Sequence, residues 1–214
     1  MCIRDMPTCG RYSPKSKGAK SSFFLEFVPV TINYGNACLS MKSPAISELA
    51  AILPTTEEDL PALTQLAGVI WRQHYPSIIS HAQIEYMLGK MYSLATLQEE
   101  IRFKGIRFVR LMVNERFVGF SSFGPTDEPG VLKLHKCYLL PEMHGRGYGT
   151  LMLQHCEREG RQLGARRFVL SVNKQNYKAL AAYRRNGFRI AESVVTDFGA
   201  GFVMDDFVMA KDLA

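Results

Sequence analysis

The chain has 214 residues, 47% hydrophobic and 21% charged, which fits one ordinary globular domain, and no apolar run approaches the length of a membrane helix. The five cysteines are odd in number and form no CxxC or His-flanked pair, so a reducing cytoplasm is expected, and a disulfide framework or a metal site is not. The formal net charge of +6 is concentrated in residues 131–190, which carry twelve Lys/Arg and three Asp/Glu, and this basic centre predicts a site for a polyanion.

Residues 1–43 differ in composition from the rest of the chain. They are polar, rich in Gly, Pro and Ser, and without periodicity, so we expect an extension that is disordered or artefactual. "FFLEFVPVTINYG" can form a short strand, but no other segment is an evident partner for it. Because Met41 resembles an ordinary start of translation, our hypothesis is that the first forty residues are artefactual. The functional domain is expected to span residues 44–214.

From residue 44 onward, hydrophobic periodicity predicts strands that alternate with helices, as in a layered α/β domain. The predicted helices lie at about 57–75 after a Thr55–Glu58 capping box, at 81–92 after Ser80, at 94–103, from the glycine-rich segment to Gly164, and at 177–186 after an Asn176 cap. The predicted strands lie at 51–53, 106–113, 116–124, 131–140, 166–172, 188–195 and 201–213.

The segment "HGRGYGT", residues 144–150, places Gly145, Gly147 and Gly149 between a predicted strand and a predicted helix. The first N–H groups of a helix are unpaired and carry partial positive charge, and glycines let an anion approach them without meeting a Cβ atom. Arg146 adds a positive charge, and the next acidic residue is Glu157. This segment therefore predicts a phosphate-binding helix start.

Two common phosphate-binding motifs fit this segment poorly. A dinucleotide-binding fingerprint needs its first glycine directly after the strand and an acidic residue about twenty positions later. Here residues 140–144 intervene, and residues 165–169 contain no acid. A P-loop needs Gly-Lys-Ser/Thr, which the segment lacks.

The segment from Leu134 to Phe188 resembles the core of the GCN5-related N-acetyltransferases, the GNAT family. The family signature Gln/Arg-x-x-Gly-x-Gly/Ala is matched by residues 144–149, with His144 in place of the usual Gln or Arg. The downstream pattern Asn-x-x-Ala-x-x-x-Tyr-x-x-x-Gly-Phe is matched by Asn176, Ala179, Tyr183, Gly187 and Phe188. The resemblance implies a mixed, mostly antiparallel, twisted sheet of about six or seven strands flanked by helices.

Acetyl-CoA is the donor that the resemblance implies, with its pyrophosphate on the amides of residues 145–150 and its pantetheine arm beside the strand that ends at Tyr138 and Leu139. The Leu139 amide would polarise the thioester carbonyl. The residues implied in donor binding are Tyr138, Leu139, His144, Gly145, Arg146, Gly147, Tyr148, Gly149, Thr150 and Asn176. Candidates for the adenosine 3′-phosphate are Lys174, Arg184 and Arg185.

In this family the acceptor amine attacks the thioester directly. Tyr183 matches the tyrosine that protonates the departing thiolate, because a phenol is an acid of similar strength to an alkyl thiol. His135 is the candidate base, since strand alternation would place it with Cys137 and Leu139, opposite Lys136 and Tyr138. A structural role for His135 stays open. An acyl-cysteine route through Cys137 is disfavoured, because no base and orienting partner are evident for it.

The acceptor is expected to be a primary amine of a small molecule or peptide, such as a polyamine, an amino acid or a peptide N-terminus. Tyr75 and Asp205 are the predicted acceptor-binding residues, and one member of the Asp205–Asp206 pair should face the covered side of the sheet. Trp71, His74 and Glu85 lie in the same region, although helix packing and solvent exposure explain such residues equally well.

Two other functions stay open at this point. The chain can be a catalytically inactive regulatory domain that binds acyl-CoA. Nucleic-acid binding through the basic centre is disfavoured, because neither a recognition helix nor an aromatic and basic platform is evident. Neither a nucleic-acid partner nor a membrane partner is therefore expected, and the resemblance implies a tendency to pair as a homodimer.

Overall fold

The computed structural model describes residues 30–31 and 49–213, with side chains for the second range. The five helices are α1 Leu60–His74, α2 His81–Met91, α3 Leu94–Phe103, α4 Tyr148–Gln162 and α5 Tyr177–Arg185. The strands are β1 Val30–Thr31, β2 Leu49–Pro54, β3 Arg107–Val113, β4 Arg116–Pro125, β5 Val131–Leu139, β6 Arg167–Asn173, β7 Arg189–Gly199 and β8 Phe202–Asp212. No helix within the described ranges is long and apolar enough to cross a membrane.

The strands form one sheet in the order β1-β2-β3-β4-β5-β6-β8-β7. Within the described residues, β5 and β6 are the one parallel pair, and every other neighbouring pair is antiparallel. The predicted mixed and mostly antiparallel sheet flanked by helices is confirmed.

The short strand β1 pairs with Leu49 and Ala50 of β2. The short strand that the sequence allowed within residues 23–35 is therefore present at Val30–Thr31, and β2 is the partner that the sequence did not reveal. The prediction of a disordered or artefactual extension over residues 1–43 stays a prediction, since its residues 1–29 and 32–43 lie outside the described residues.

Side-chain caps fix the starts of three helices, α2 through Ser80, α3 through Ser93 and α5 through Asn176. Ser80 accepts a hydrogen bond from the Gln83 amide at 3.2 Å, and Asn176 accepts one from the Ala179 amide at 3.2 Å. The capping box predicted at Thr55 and Glu58 lies one residue later: the Thr56 amide donates to Asp59 at 2.8 Å. This box begins a single 3₁₀ turn, Glu57–Asp59, after which α1 starts at Leu60.

A bulge interrupts β5 at His135. Leu134 lies opposite Phe123 of β4 and Lys136 lies opposite Ser122, so that His135 is an extra residue without a partner in β4. The alternation that was expected to group His135 with Cys137 and Leu139 therefore does not hold across His135.

The parallel pairing of β5 with β6 ends at the same point, with Leu134 opposite Leu170. Beyond it, β5 continues to Leu139 along β4 alone, while β6 continues to Asn173 along β8. A gap therefore opens between β5 and β6 in the middle of the sheet.

Two hydrophobic clusters form the core. Side chains of α1, α2 and α3 pack in the first cluster, which the start of α4 joins through Tyr148 and Met152. Leu153 and Cys156 of α4 and Leu180 of α5 pack in the second. The helices α1–α3 therefore share one cluster with the start of α4, while the rest of α4 shares the other with α5.

Candidate active site

The helix α4 begins without a side-chain cap and without an acidic residue in its first turn. Gly147 is its N-cap residue, with φ of 83°, and Gly145 has φ of 78°. Both conformations lie in the left-handed region, where glycine is favoured, so these two glycines are needed for the path of the loop itself. A Cβ atom added at Gly149 would meet no protein atom within 4 Å. Open space therefore lies beside this turn, as an anion site at a helix start requires.

His144 and His74 lie beside this turn. The Nε2 atom of His144 donates a hydrogen bond to the Leu139 carbonyl oxygen at 3.0 Å, which ties the loop to the end of β5. The His74 ring, at the end of α1, lies 6.5 Å from the His144 ring. Burial lowers the pKa of His74, while a hydrogen bond with Asn176 opposes that shift. His74, for which the sequence left a place in the acceptor region and a packing role both open, thus connects α1 to the signature loop and to the start of α5.

The backbone of β5 presents hydrogen-bonding groups to the gap. The Leu140 amide donates to the Val118 carbonyl oxygen, and Leu139 lies opposite Gly119. In an antiparallel pair, neighbouring residues point their amides alternately toward and away from the partner strand. The N–H group of Leu139 therefore points away from β4, toward the gap. A Cβ atom at Gly119 would lie 2.8 Å from the Tyr138 carbonyl oxygen, so glycine is required for this close strand approach.

Tyr183 of α5 lies half-buried near the gap, with its ring 5.9 Å from the Phe188 ring. Burial raises the pKa of its phenol well above the ordinary value, and the nearby Cys137 and Tyr75 add to this shift. Tyr183 is therefore protonated at neutral pH, near both β5 and the end of α1. Burial also raises the pKa of the Cys137 thiol, which is the opposite of what an acyl-cysteine nucleophile needs.

His135 lies in a basic surrounding. Its Nε2 atom is buried and has no hydrogen-bond partner among the described residues. Burial lowers the pKa of His135 to about 4, and the positive charges of Lys136, Lys133 and Lys104 act in the same direction. The imidazole is thus neutral at physiological pH, but it is a much weaker base than an ordinary histidine.

Tyr75 and Tyr138 meet on the α1 side of the sheet. Their hydroxyl oxygens are 3.4 Å apart, and the Trp71 ring lies 4.4 Å from the Tyr75 ring. Trp71 is 1% exposed, as expected for a packing residue, and burial raises the pKa of both tyrosines. Glu85, the other residue suggested in this region, is exposed and forms an ion pair with Arg72.

The two neighbouring aspartates of β8 have different surroundings. Asp205 is exposed and forms an ion pair with Lys174. Asp206 is 8% exposed, and its charge acts on Tyr75. The predicted acceptor-binding residue Asp205 is therefore on the outer side, and Asp206 is the member of the pair on the covered side. Strand alternation predicted that one of them faces inward but not which one.

The candidate residues for the adenosine 3′-phosphate fall into two places. Lys174 forms an ion pair with Asp205. Arg184 and Arg185 are exposed at the end of α5, where Asn186 donates a hydrogen bond to the Thr150 hydroxyl at 3.2 Å. This bond joins the end of α5 to the first turn of α4, so the two arginines are close to the proposed phosphate site.

A family model described as the acetyltransferase (GNAT) family matches residues 69–188. A spermidine N(1)-acetyltransferase of Thermoplasma acidophilum is 27% identical over 150 residues, which are 66% of this chain and 89% of that protein. An uncharacterized N-acetyltransferase of Mycobacterium tuberculosis is 33% identical over 98 residues, which are 46% of this chain and 62% of that protein.

The fold is also similar to that of a solved structure. The PaiA N-acetyltransferase of Thermoplasma acidophilum, solved in complex with coenzyme A, has a TM-score of 0.65 and 25% identity. The match covers 76% of this chain and 98% of that one. With the family match spanning more than half of the sequence, the chain belongs to the GNAT family of acetyltransferases and is an N-acetyltransferase.

Proposed function

We propose that the protein transfers the acetyl group of acetyl-CoA to a primary amine of a small molecule or peptide by direct attack of the amine. The observation that carries this proposal is the gap beside β5. The Leu139 N–H group points toward it, α4 begins at one end of it, and Tyr183 lies nearby. These are the groups that a thioester-bearing nucleotide needs for binding and for chemistry.

In this proposal the amides of residues 145–150 hold the donor diphosphate. They stand at the positive end of the α4 dipole, where no acidic residue in the first turn opposes an anion. The pantetheine arm hydrogen-bonds along the free edge of β5. The Leu139 N–H group then polarises the thioester carbonyl and stabilises the charge that develops on its oxygen during attack.

Tyr183 supplies the proton for the leaving thiolate. Its phenol is protonated at neutral pH because burial raises its pKa. The same apolar surrounding also raises the proton affinity of the departing thiolate, so the transfer stays favourable.

The relative named spermidine N(1)-acetyltransferase makes polyamines the first acceptors to test. Spermidine, spermine, single amino acids and short peptides with free N-termini form a suitable panel. Thiol release from acetyl-CoA measures transfer to each of them.

The Tyr183→Phe variant tests whether Tyr183 protonates the leaving thiolate. We expect kcat to fall by about 100-fold, as on loss of a general acid, with acetyl-CoA affinity preserved within about threefold. Tyr177→Phe is the matched control, because Tyr177 lies on the same helix but is 74% exposed. Its kinetics should equal those of the unchanged protein.

Equal rates for Tyr183→Phe and Tyr177→Phe would show that Tyr183 is not the acid. Acetyl-CoA binding without transfer to any amine of the panel would favour a regulatory acyl-CoA-binding domain instead. Failure to bind acetyl-CoA at all would contradict the proposed donor.

A further inference from the structure

Asp206 is a buried carboxylate on the α1 side of the sheet. Met204, two residues earlier in β8, packs in the same cluster as Tyr75 and lies 3.6 Å from the side-chain amide of Gln83. Asp206 itself is 8% exposed, and its Oδ1 atom is buried without a hydrogen-bond partner among the described side chains. Buried polar atoms in native proteins are nearly always paired, so an exception calls for a function or for a partner that arrives from outside.

The positive charges around Asp206 do not offset the cost of burying its carboxylate. Burial and the neighbouring Asp205 raise its pKa to about 6, while Lys133 and Lys174 act in the opposite direction. Lys174 is already engaged by Asp205. Tyr75, on the facing α1 side, is a neutral phenol whose pKa the Asp206 charge raises. The carboxylate therefore lies in a place where an added positive charge would be stabilised.

Tyrosine side chains connect this place to the gap. The Tyr75 hydroxyl lies 3.4 Å from the Tyr138 hydroxyl, and Tyr138 directly precedes Leu139, whose N–H group points toward the gap. Tyr183 also lies near Tyr75. Tyr75 thus lies near Asp206 of β8 and also near Tyr138 and Tyr183, which border the proposed acetyl position beside β5.

We propose that Asp206 binds the ammonium group of the acceptor and takes up its proton before attack, an assignment that rests on the proposed acetyl transfer. The ammonium N–H bond breaks, the proton goes to the Asp206 carboxylate, and the neutral amine is left with its lone pair. That lone pair forms the C–N bond to the acetyl carbon as the C–S bond breaks. Tyr183 gives its proton to the thiolate and regains one from the nitrogen, and Asp206 releases its own proton to water.

The alternatives on the same strands are less suited to this step. His135 has a pKa of about 4 and is surrounded by lysines, so it neither attracts an ammonium group nor holds a proton at neutral pH. Asp205 is exposed, and Lys174 already neutralises it. Asp206 combines negative charge, burial and a vacant acceptor atom.

The test compares Asp206→Asn with Asp205→Asn and with Asp212→Asn, an exposed aspartate of the same strand that forms an ion pair with Arg167. The first measurement is kcat/KM for spermidine as a function of pH. The second is the affinity of the coenzyme A-loaded protein for spermidine by calorimetry, which does not depend on turnover. Acetyl-CoA affinity and thermal unfolding are recorded for each variant.

For Asp206→Asn we expect kcat/KM at pH 7.5 to fall by about 100-fold and spermidine to bind at least tenfold more weakly. The decline of kcat/KM toward acid pH, which should have its midpoint near pH 6 in the unchanged protein, should be absent from this variant. Acetyl-CoA affinity should not change, and Asp212→Asn should stay within about twofold of the unchanged protein in every measurement. Equal behaviour of Asp206→Asn and Asp212→Asn would overturn the assignment, as would a loss confined to Asp205→Asn.

A protein that binds acetyl-CoA but acetylates no amine would contradict the proposed transfer, and the calorimetric arm then decides the Asp206 assignment by itself. Weaker spermidine binding by Asp206→Asn alone supports an ammonium site at Asp206. Unchanged binding overturns it.

Discussion

Asp206 and His135 each bury one atom without a hydrogen-bond partner, and burial moves their pKa values in opposite directions. The folded-state pKa of Asp206, about 6, lies above its ordinary value of 3.8, so the folded protein loses stability as the pH rises from about 4 to about 6. The folded-state pKa of His135, about 4, lies below its ordinary value of 6.5, so the folded protein loses stability as the pH falls from about 6.5 to about 4.

Asp206→Asn should therefore stabilise the folded protein while it lowers activity. At pH 8 we expect the free energy of unfolding to rise by about 1–2 kcal/mol, because the variant removes a buried unpaired charge. At pH 4.5 the gain should be smaller, because Asp206 is then protonated in the folded protein. Denaturant unfolding at the two pH values measures both effects.

Asp212→Asn is the control for this prediction, since an exposed ion pair contributes only about 0–1 kcal/mol. A lower stability of Asp206→Asn at pH 8 would indicate that Asp206 has a structural partner and is not a vacant binding group.

His135 should not titrate in the range where the enzyme is active. Because burial and three nearby lysines oppose proton uptake, we expect its imidazole resonances to shift with a midpoint near pH 4. We also expect His135→Gln to keep the acid limb of the kcat/KM profile. Loss of that limb in His135→Gln, with its retention in Asp206→Asn, would return the role of base to His135.

The residue types of the site could be predicted from the sequence, but not all of their orientations. Tyr183 and residues 144–150 stand in a motif with fixed spacing, and the structure brings them to one gap. The predicted orientation of His135 was wrong because the bulge depends on pairing with β4 and cannot be recognised from the sequence of β5 alone. Asp205 and Asp206 are identical residues in sequence, and only the packed sheet shows which of them is covered.

At the scale of elements, the signature loop separates two roles of glycine. Gly145 and Gly147 are needed for backbone conformations with positive φ, whereas Gly149 lies in ordinary helix with open space beside it. In the proposed donor complex, a Cβ atom at Gly149 would therefore disturb the diphosphate without disturbing the protein.

Gly149→Ala should keep or raise the stability of the ligand-free protein, by up to about 1 kcal/mol, because alanine favours helix. Its acetyl-CoA affinity should fall at least tenfold, because the added methyl group meets the donor phosphates. Calorimetric titration with acetyl-CoA and thermal unfolding without it give the two quantities.

Gly164→Ala is the matched control at the other end of α4. Gly164 has φ of 78°, so this substitution should destabilise the protein and leave acetyl-CoA affinity unchanged. Unchanged donor affinity in Gly149→Ala would mean that the donor does not approach this turn.

Element identities were largely predictable because each helix and strand has a clear hydrophobic period. Their ends were less so: α1 starts at Leu60, three residues after the predicted start, because a 3₁₀ turn occupies Glu57–Asp59. The parting of β5 from β6 could not be predicted from periodicity, since both strands continue beyond it, each along its other neighbour in the sheet.

At the scale of the whole molecule, the two sides of the gap carry different charges. The helices α4 and α5 contribute arginines and a positive helix start, while the α1 side carries the buried Asp206. This asymmetry agrees with the basic centre at residues 131–190 and with residues 191–214, which carry one Lys/Arg and five Asp/Glu. It suits an anionic donor on one side and a cationic acceptor on the other, which meet at the end of β5.

Amide NMR of the protein titrated with coenzyme A tests the central claim most directly, because that claim concerns the first-turn amides of α4. The amide resonances of residues 145–150 should shift and their hydrogen exchange should slow, while those of β2 and β3 stay unchanged. Coenzyme A binding that leaves the amides of residues 145–150 unaffected would contradict the claim.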